Sequence, residues 1–220
     1  MKLVKTQITQ LDEILGGGLP DKSVVLMLGE PGSGHDTLAQ QILYQHALWK
    51  GKVAYFTTSR SSSTLTEDFE AFGWMTSTLK TDRWTFIDVH VPTALQILQK
   101  EMPMKLREGH WTVIDSLSYL LLTQEYRPVL NSIELLLDST RKHGGIHFLL
   151  LTQGMHDSQK EITVQHLVDG VIELVAQKAG DGVDRRIRIK KMKKTNCTPK
   201  LIPFSISENG IAIETAVRIA

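Results

Sequence analysis

The chain has 220 residues, 41% of them hydrophobic and 22% charged, with 16 Gly and 7 Pro; this composition buries a core and excludes disordered, collagen-like and coiled-coil classes. Lys plus Arg number 25 against 24 Asp plus Glu, a formal net charge of +1, so nothing draws the whole molecule to nucleic acid or membrane, and any such partner needs a local patch. One cysteine, Cys197, excludes an intrachain disulfide; no apolar stretch nears the roughly 18 residues of a membrane span, and the opening residues lack a secretory signal, so the expectation is one cytoplasmic domain over 1–220 with no membrane insertion.

Short apolar runs alternate with segments of helical period, the pattern of β-α-β units around a mostly parallel sheet. Strands are predicted at Val24 to Leu28, Val53 to Thr57, Thr85 to Val89, Thr112 to Asp115, His147 to Thr152 and Val171 to Leu174. Helices are predicted at Thr37 to Trp49, Thr64 to Phe72, Val91 to Met102, Pro128 to His143 and Ile162 to Val168, where apolar residues recur every three or four positions. After the turn Ala179-Gly180-Asp181-Gly182, alternating residues 186–189 and 201–207, then Asn209-Gly210 and residues 211–213, predict antiparallel strands at the sheet edge, closed by an Asn-Gly hairpin turn. The fold class is therefore α/β, with a mostly parallel central sheet flanked by helices and an antiparallel C-terminal edge.

The most informative stretch is Gly29-Glu30-Pro31-Gly32-Ser33-Gly34-His35-Asp36-Thr37, a glycine-rich loop between a strand and a helix. That is the placement of a phosphate-binding loop, whose backbone N–H groups and helix N-terminus converge on phosphate oxygens. The motif continues with a Lys for the β- and γ-phosphates and a Ser or Thr for Mg²⁺; here those positions are His35 and Asp36. A cation lost about 4 Å from a phosphate forfeits ~4 kcal/mol at an effective dielectric near 20, and an anion there adds repulsion of similar order. Two readings of Asp36 stay open: a direct Mg²⁺ ligand, or a favourable first-turn residue of the helix.

Lys5-Thr6-Gln7-Ile8, residues 11–20 (Leu-Asp-Glu-Ile-Leu-Gly-Gly-Gly-Leu-Pro), the loop itself, Phe72-Gly73-Trp74, Val113-Ile114-Asp115-Ser116, residues 166–172, Lys191-Met192 and residues 199–204 together resemble the KaiC-like ATPases of the RecA superfamily. The resemblance spans nearly the whole chain. It implies a RecA-like P-loop core, commonly in hexameric rings, with ATP or ADP and Mg²⁺ between subunits. It assigns Gly29, Gly32, Ser33, Gly34, His35, Asp36 and Thr37 to the nucleotide, Asp115 to the Walker B carboxylate that orients the metal's water, and Gln153 to a γ-phosphate sensor. Asp115, with Asp36, would be the Mg²⁺ ligands. Where similar proteins carry a pair of water-activating glutamates, this chain has Ser59 and Arg60, neither of which accepts a proton from water near neutral pH. The family's Lys-Met-Arg-Gly, whose cations reach a neighbour's γ-phosphate, reads Lys191-Met192-Lys193-Lys194; Lys191 and Lys193 are the trans-interface candidates.

Seven basic residues between Arg185 and Lys194 form the one local patch that could track a nucleic-acid backbone, with no interleaved aromatics to stack on bases. The scattered histidines lack zinc-ligand spacing, and Trp49, Trp74, Trp84 and Trp111 read as packing anchors at element ends. The leading expectation is a KaiC-like protein with impaired or absent ATP hydrolysis, acting as a regulatory or assembly subunit, by self-association or together with a RecA- or KaiC-like relative. A slow but genuine ATPase and a DNA-binding recombination accessory protein are the alternatives.

Overall fold

The structure is a computed structural model and describes residues 2–80, 82–195 and 200–214, so Cys197 and Pro199 lie outside the described residues. In chain order the elements are β1 (Leu3–Val4), α1 (Thr9–Ile14), β2 (Leu19–Pro20), β3 (Ser23–Gly29), α2 (His35–Leu48), β4 (Lys52–Thr57), α3 (Ser62–Ala71), β5 (Trp84–Asp88) and α4 (Ala94–Arg107). They continue with β6 (His110–Asp115), α5 (Leu117–Thr123), α6 (Tyr126–His143), β7 (Ile146–Thr152), α7 (Ser158–Leu167), β8 (Gly170–Ala179), β9 (Gly182–Met192), β10 (Ile202–Ser207) and β11 (Gly210–Ile213). Among the described residues β3 to β11 form one nine-stranded sheet in the order β11-β10-β9-β8-β3-β7-β6-β4-β5. From β8 to β5 the neighbours are parallel; β9, β10 and β11 add antiparallel strands at one edge, as predicted.

Alternation of side chains along each strand divides the core into two layers. Val25, Met27, Val53, Tyr55, Val113, Phe148 and Leu150 face α1 and α2, while Leu26, Leu28, Phe56, Ile114, Leu149 and Leu151 face α4, α5 and α6. Both faces of β3 are covered, and every residue from Ser23 to Gly29 is buried, which is why its sequence is continuously apolar. Among the described residues side-chain caps start three helices: Ser61 Oγ accepts from the Thr64 N–H, Ser116 Oγ from the Tyr119 N–H, and the Asp157 carboxylate from the Lys160 N–H.

Three expectations are corrected. Helix α4 does not stop at Met102 but passes through Pro103 to Arg107, because Leu98, Met102 and Leu106 continue one buried stripe whose burial outweighs the hydrogen bond that proline removes. Strands β8 and β9 run on to a tight turn at Gly180-Asp181, with Ala179 opposite Gly182; their outer residues, Gln177 to Val183, are exposed and so need no buried-strand pattern. Of the four tryptophans, Trp74, Trp84 and Trp111 are buried anchors, but Trp49 is 70% exposed.

Candidate functional site

The loop between β3 and α2 hangs from the middle of the sheet, where β3 lies between β7 and β8. The Gln153 N–H donates to the Gly29 carbonyl at 2.9 Å, tying the end of β7 to the root of the loop. Gly29 is a glycine because a Cβ there would stand 2.2 Å from Ser33 Oγ and 2.8 Å from the Leu174 carbonyl oxygen. Gly32 and Gly34 take φ of 80° and 87°, the left-handed region that glycine enters without strain, and Gly34 is the residue from which α2 starts.

His35, in the lysine position, is 8% exposed and shares a 3.1 Å hydrogen bond between its Nδ1 and Ser33 Oγ. Burial lowers its pKa against the opposing pull of the Asp36 and Asp115 charges, so near pH 7 it is a neutral ring turned into the loop. Asp36 folds its Oδ1 onto its own helix, accepting from the Thr37 N–H at 2.8 Å. Of the two readings of Asp36, this geometry is that of the first-turn residue, a carboxylate at the positive end of α2.

Asp115 ends β6 with 4% exposure, and two donors converge on its Oδ2. The Tyr55 hydroxyl donates at 2.5 Å, and Arg60 Nη2 donates at 2.9 Å. Tyr55 in turn accepts from Gln40 Nε2 at 3.0 Å. Burial, with the adjacent Asp115 charge, lifts the phenol far above its ordinary value, so it stays a neutral donor. The other arm of Arg60, Nη1, reaches Asp68 Oδ2 on α3 at 2.7 Å. Burial opposes the Arg60 charge, but the Asp115 carboxylate, by its charge and its hydrogen bond and helped by the Asp36 charge, outweighs it and raises the guanidinium pKa. Ser59, the other residue in the glutamate positions, is exposed.

The Mg²⁺ implied by the resemblance is not fitted by these donors. The Asp115 carboxylate already holds a guanidinium, and a divalent cation about 5 Å from that guanidinium meets ~6–7 kcal/mol of repulsion at an effective dielectric near 20. Asp36 is committed to its helix end, and among the described residues no cluster of three or more His, Cys, Asp or Glu could hold a metal.

Lys191 and Lys193 lie together at the C-terminus of α7. Lys191 Nζ donates to the carbonyls of Gln165, His166 and Val168 at 2.9, 2.7 and 2.7 Å, a cation on the negative end of a helix, and burial lowers its pKa. Lys193 pairs with Asp169 at 3.1 Å. Lys191→Met is therefore expected to lower stability by about 1.5–3 kcal/mol, the worth of charged hydrogen bonds left unmade, with faster amide exchange confined to the end of α7. Unchanged urea unfolding would show that these bonds carry no net stability.

The basic strand β9 is largely compensated within the chain. Glu173 on β8, a buried carboxylate, holds both Arg188 and Lys190, and Arg186 pairs with Asp184. Sequence reasoning missed Glu173, as it missed Tyr55, Gln40 and Asp68. A tyrosine inside a buried parallel strand was the available signal, because such a hydroxyl needs a partner.

The comparisons with known proteins agree with this architecture. The family model described as the KaiC ATPase matches residues 4–217. A UPF0273 protein of Saccharolobus solfataricus is 29% identical, the alignment covering 97% of this chain and 83% of that protein; a UPF0273 protein of Thermotoga maritima is 25% identical, covering 97% and 96%. The crystal structure of a KaiC-like protein from the hyperthermophilic archaeon Pyrococcus horikoshii superposes with a TM-score of 0.83 at 26% identity, over 97% of this chain and 99% of that one. A RecA-like sheet with its loop at β3, and a family match from one end of the chain to the other, lead to one conclusion: this chain belongs to the KaiC ATPase family.

Proposed function

We propose that this KaiC-family chain does not turn over ATP and acts as a regulatory or assembly subunit, with itself or with an active relative. Members of the family typically bind nucleotide with Mg²⁺. The observation that carries the reading is the 2.9 Å bond from Arg60 to Asp115: a residue in the position of a water-activating glutamate is a cation, and it occupies the carboxylate that would orient the metal's water. Hydrolysis then lacks a general base, which contributes typically 10²–10⁴-fold, and its metal site as well.

Phosphate release from ATP with Mg²⁺ tests the first half: the expected rate is that of buffer. Turnover that disappears in Asp115→Asn would instead establish the slow ATPase. The second half is tested by adding the protein to an active KaiC-like relative. A change in the relative's ATPase rate, together with co-elution, is expected; an unchanged rate without co-elution contradicts the subunit role.

A further inference from the structure

We infer that the site is self-liganded: the Asp36 carboxylate takes the phosphate's place at the head of α2 and the Arg60 guanidinium takes the metal's place on Asp115, so the chain holds its state without nucleotide. This rests on the reading that the loop descends from a nucleotide site, and it decides whether the subunit answers to nucleotide or not.

Two independent contacts carry it. In a phosphate loop the first N–H groups of the helix are the anion's donors; here the Thr37 N–H is taken at 2.8 Å by the chain's own anion, Asp36 Oδ1. On the facing strand end, Asp115 Oδ2 is taken by the chain's own cation at 2.9 Å. The two surrogates sense each other, since the Asp36 charge is among those that stabilise the Arg60 cation. The remaining phosphate ligand, the lysine, is replaced by a neutral imidazole bonded to Ser33. An incoming polyphosphate would meet the Asp36 carboxylate at the head of α2 and would have to displace it to reach the Thr37 N–H. The Arg60 bridge also joins α3 through Asp68 to the end of β6 through Asp115.

The test is thermal unfolding of the full chain with ATP, ADP and pyrophosphate, each with Mg²⁺ and with chelator. The unliganded wild type is expected to melt cooperatively and to shift by less than about 1 °C at ligand concentrations of about 10 mM, where a ligand at ten times its Kd would raise the midpoint by about 3–5 °C. Asp36→Thr, which vacates the N–H seat, is expected to gain a shift of about 3 °C or more with pyrophosphate under the same conditions. His35→Lys/Asp36→Thr is expected to bind ATP at least about tenfold more tightly than wild type, as the regained charge at the phosphate requires. A wild-type shift equal to that of the variants overturns the inference, as does an absent shift in both variants when their circular dichroism and cooperativity match wild type. Should the variants fail to fold, the wild-type shift alone decides. ATP binding without phosphate release would overturn this inference and leave the proposed lack of turnover standing; phosphate release would overturn the proposed function itself.

Discussion

Acidification from pH 7 to pH 4 is expected to remove about 3 kcal/mol of folding stability through each of two buried histidines, a loss centred on imidazoles rather than on carboxylates. His147 sits wholly inside the sheet: its Nε2–H donates to the Gly144 carbonyl at 3.0 Å, leaving Nδ1 to accept from the Thr112 hydroxyl at 2.9 Å. Burial pushes its pKa down to about 4. His46 lies flat on Trp111, ring centroids 3.7 Å apart and 8° from parallel, and burial likewise lowers it to about 4. Gly51 leaves room for that ring, since a Cβ there would stand 2.1 Å from His46 Nε2.

The direction follows from proton counts. Between the unfolded value of about 6.5 and the folded value of about 4, the unfolded chain binds protons that the native chain does not, so stability falls with pH through that window and levels off below it. Urea unfolding at pH 7, 5.5 and 4.5 reads the total. His46→Phe, which keeps the stack and removes the titration, should lower the loss over this window by about half if the two imidazoles dominate it. Imidazole proton resonances that titrate near 6.5 for either residue would sink the assignment.

The second large effect belongs to Arg60. Arg60→Ala is expected to destabilise the protein by about 3 kcal/mol, because it takes the guanidinium, on a side chain 34% exposed, from the carboxylate of Asp115, on a side chain 6% exposed, and hydrogen bonds to charged groups are worth about 1.5–3 kcal/mol. The arm to Asp68 adds little, since that carboxylate is 45% exposed and exposed pairs are worth about 0–1 kcal/mol. For a chain of this length the loss corresponds to a midpoint lowered by about 6–10 °C. Arg60→Lys should recover part of it, restoring charge but not a fork that spans two carboxylates. A melting temperature for Arg60→Ala within a degree of wild type would mean the pair is worth no more than its solvated alternatives.

How far the sequence could be read depended on whether a feature was local. The buried strands, the glycine loop, Asp115 at a strand end and the Asn-Gly hairpin are all written in a few consecutive residues, and all stand where the sequence placed them. The loss of the lysine and the glutamates was equally local. What those losses became was not: Arg60 and Asp115 are 55 positions apart, as Tyr55 and Asp115 are 60. Their meeting depends on β4 and β6 being neighbours in register, Thr57 opposite Asp115. That position 60 carries an arginine was readable; that its guanidinium rests on Asp115 was not.

The same limit hid the roles of Lys191 and Glu173. The motif gave Lys191 as a trans-interface candidate; the contacts it makes within its own chain, to the end of α7, lie more than twenty residues earlier. Glu173 broke an apolar strand without any local reason, and the reason is a pair of cations on the strand that returns beside it. Helix α4 shows the converse: its expected end at Met102 falls just before Pro103, a helix breaker by local rule, and the buried stripe on both sides of Pro103 carried it onward.

The most direct measurement is the double-mutant cycle of Arg60→Ala and Asp115→Asn, with the two single variants and the double variant unfolded in urea at pH 7. A guanidinium bound to a buried carboxylate gives a coupling energy of about 2 kcal/mol or more, with the double variant more stable than Arg60→Ala alone. Additive losses, with coupling within about 0.5 kcal/mol of zero, would mean that Arg60 does not hold Asp115, and that the carboxylate remains free for a metal.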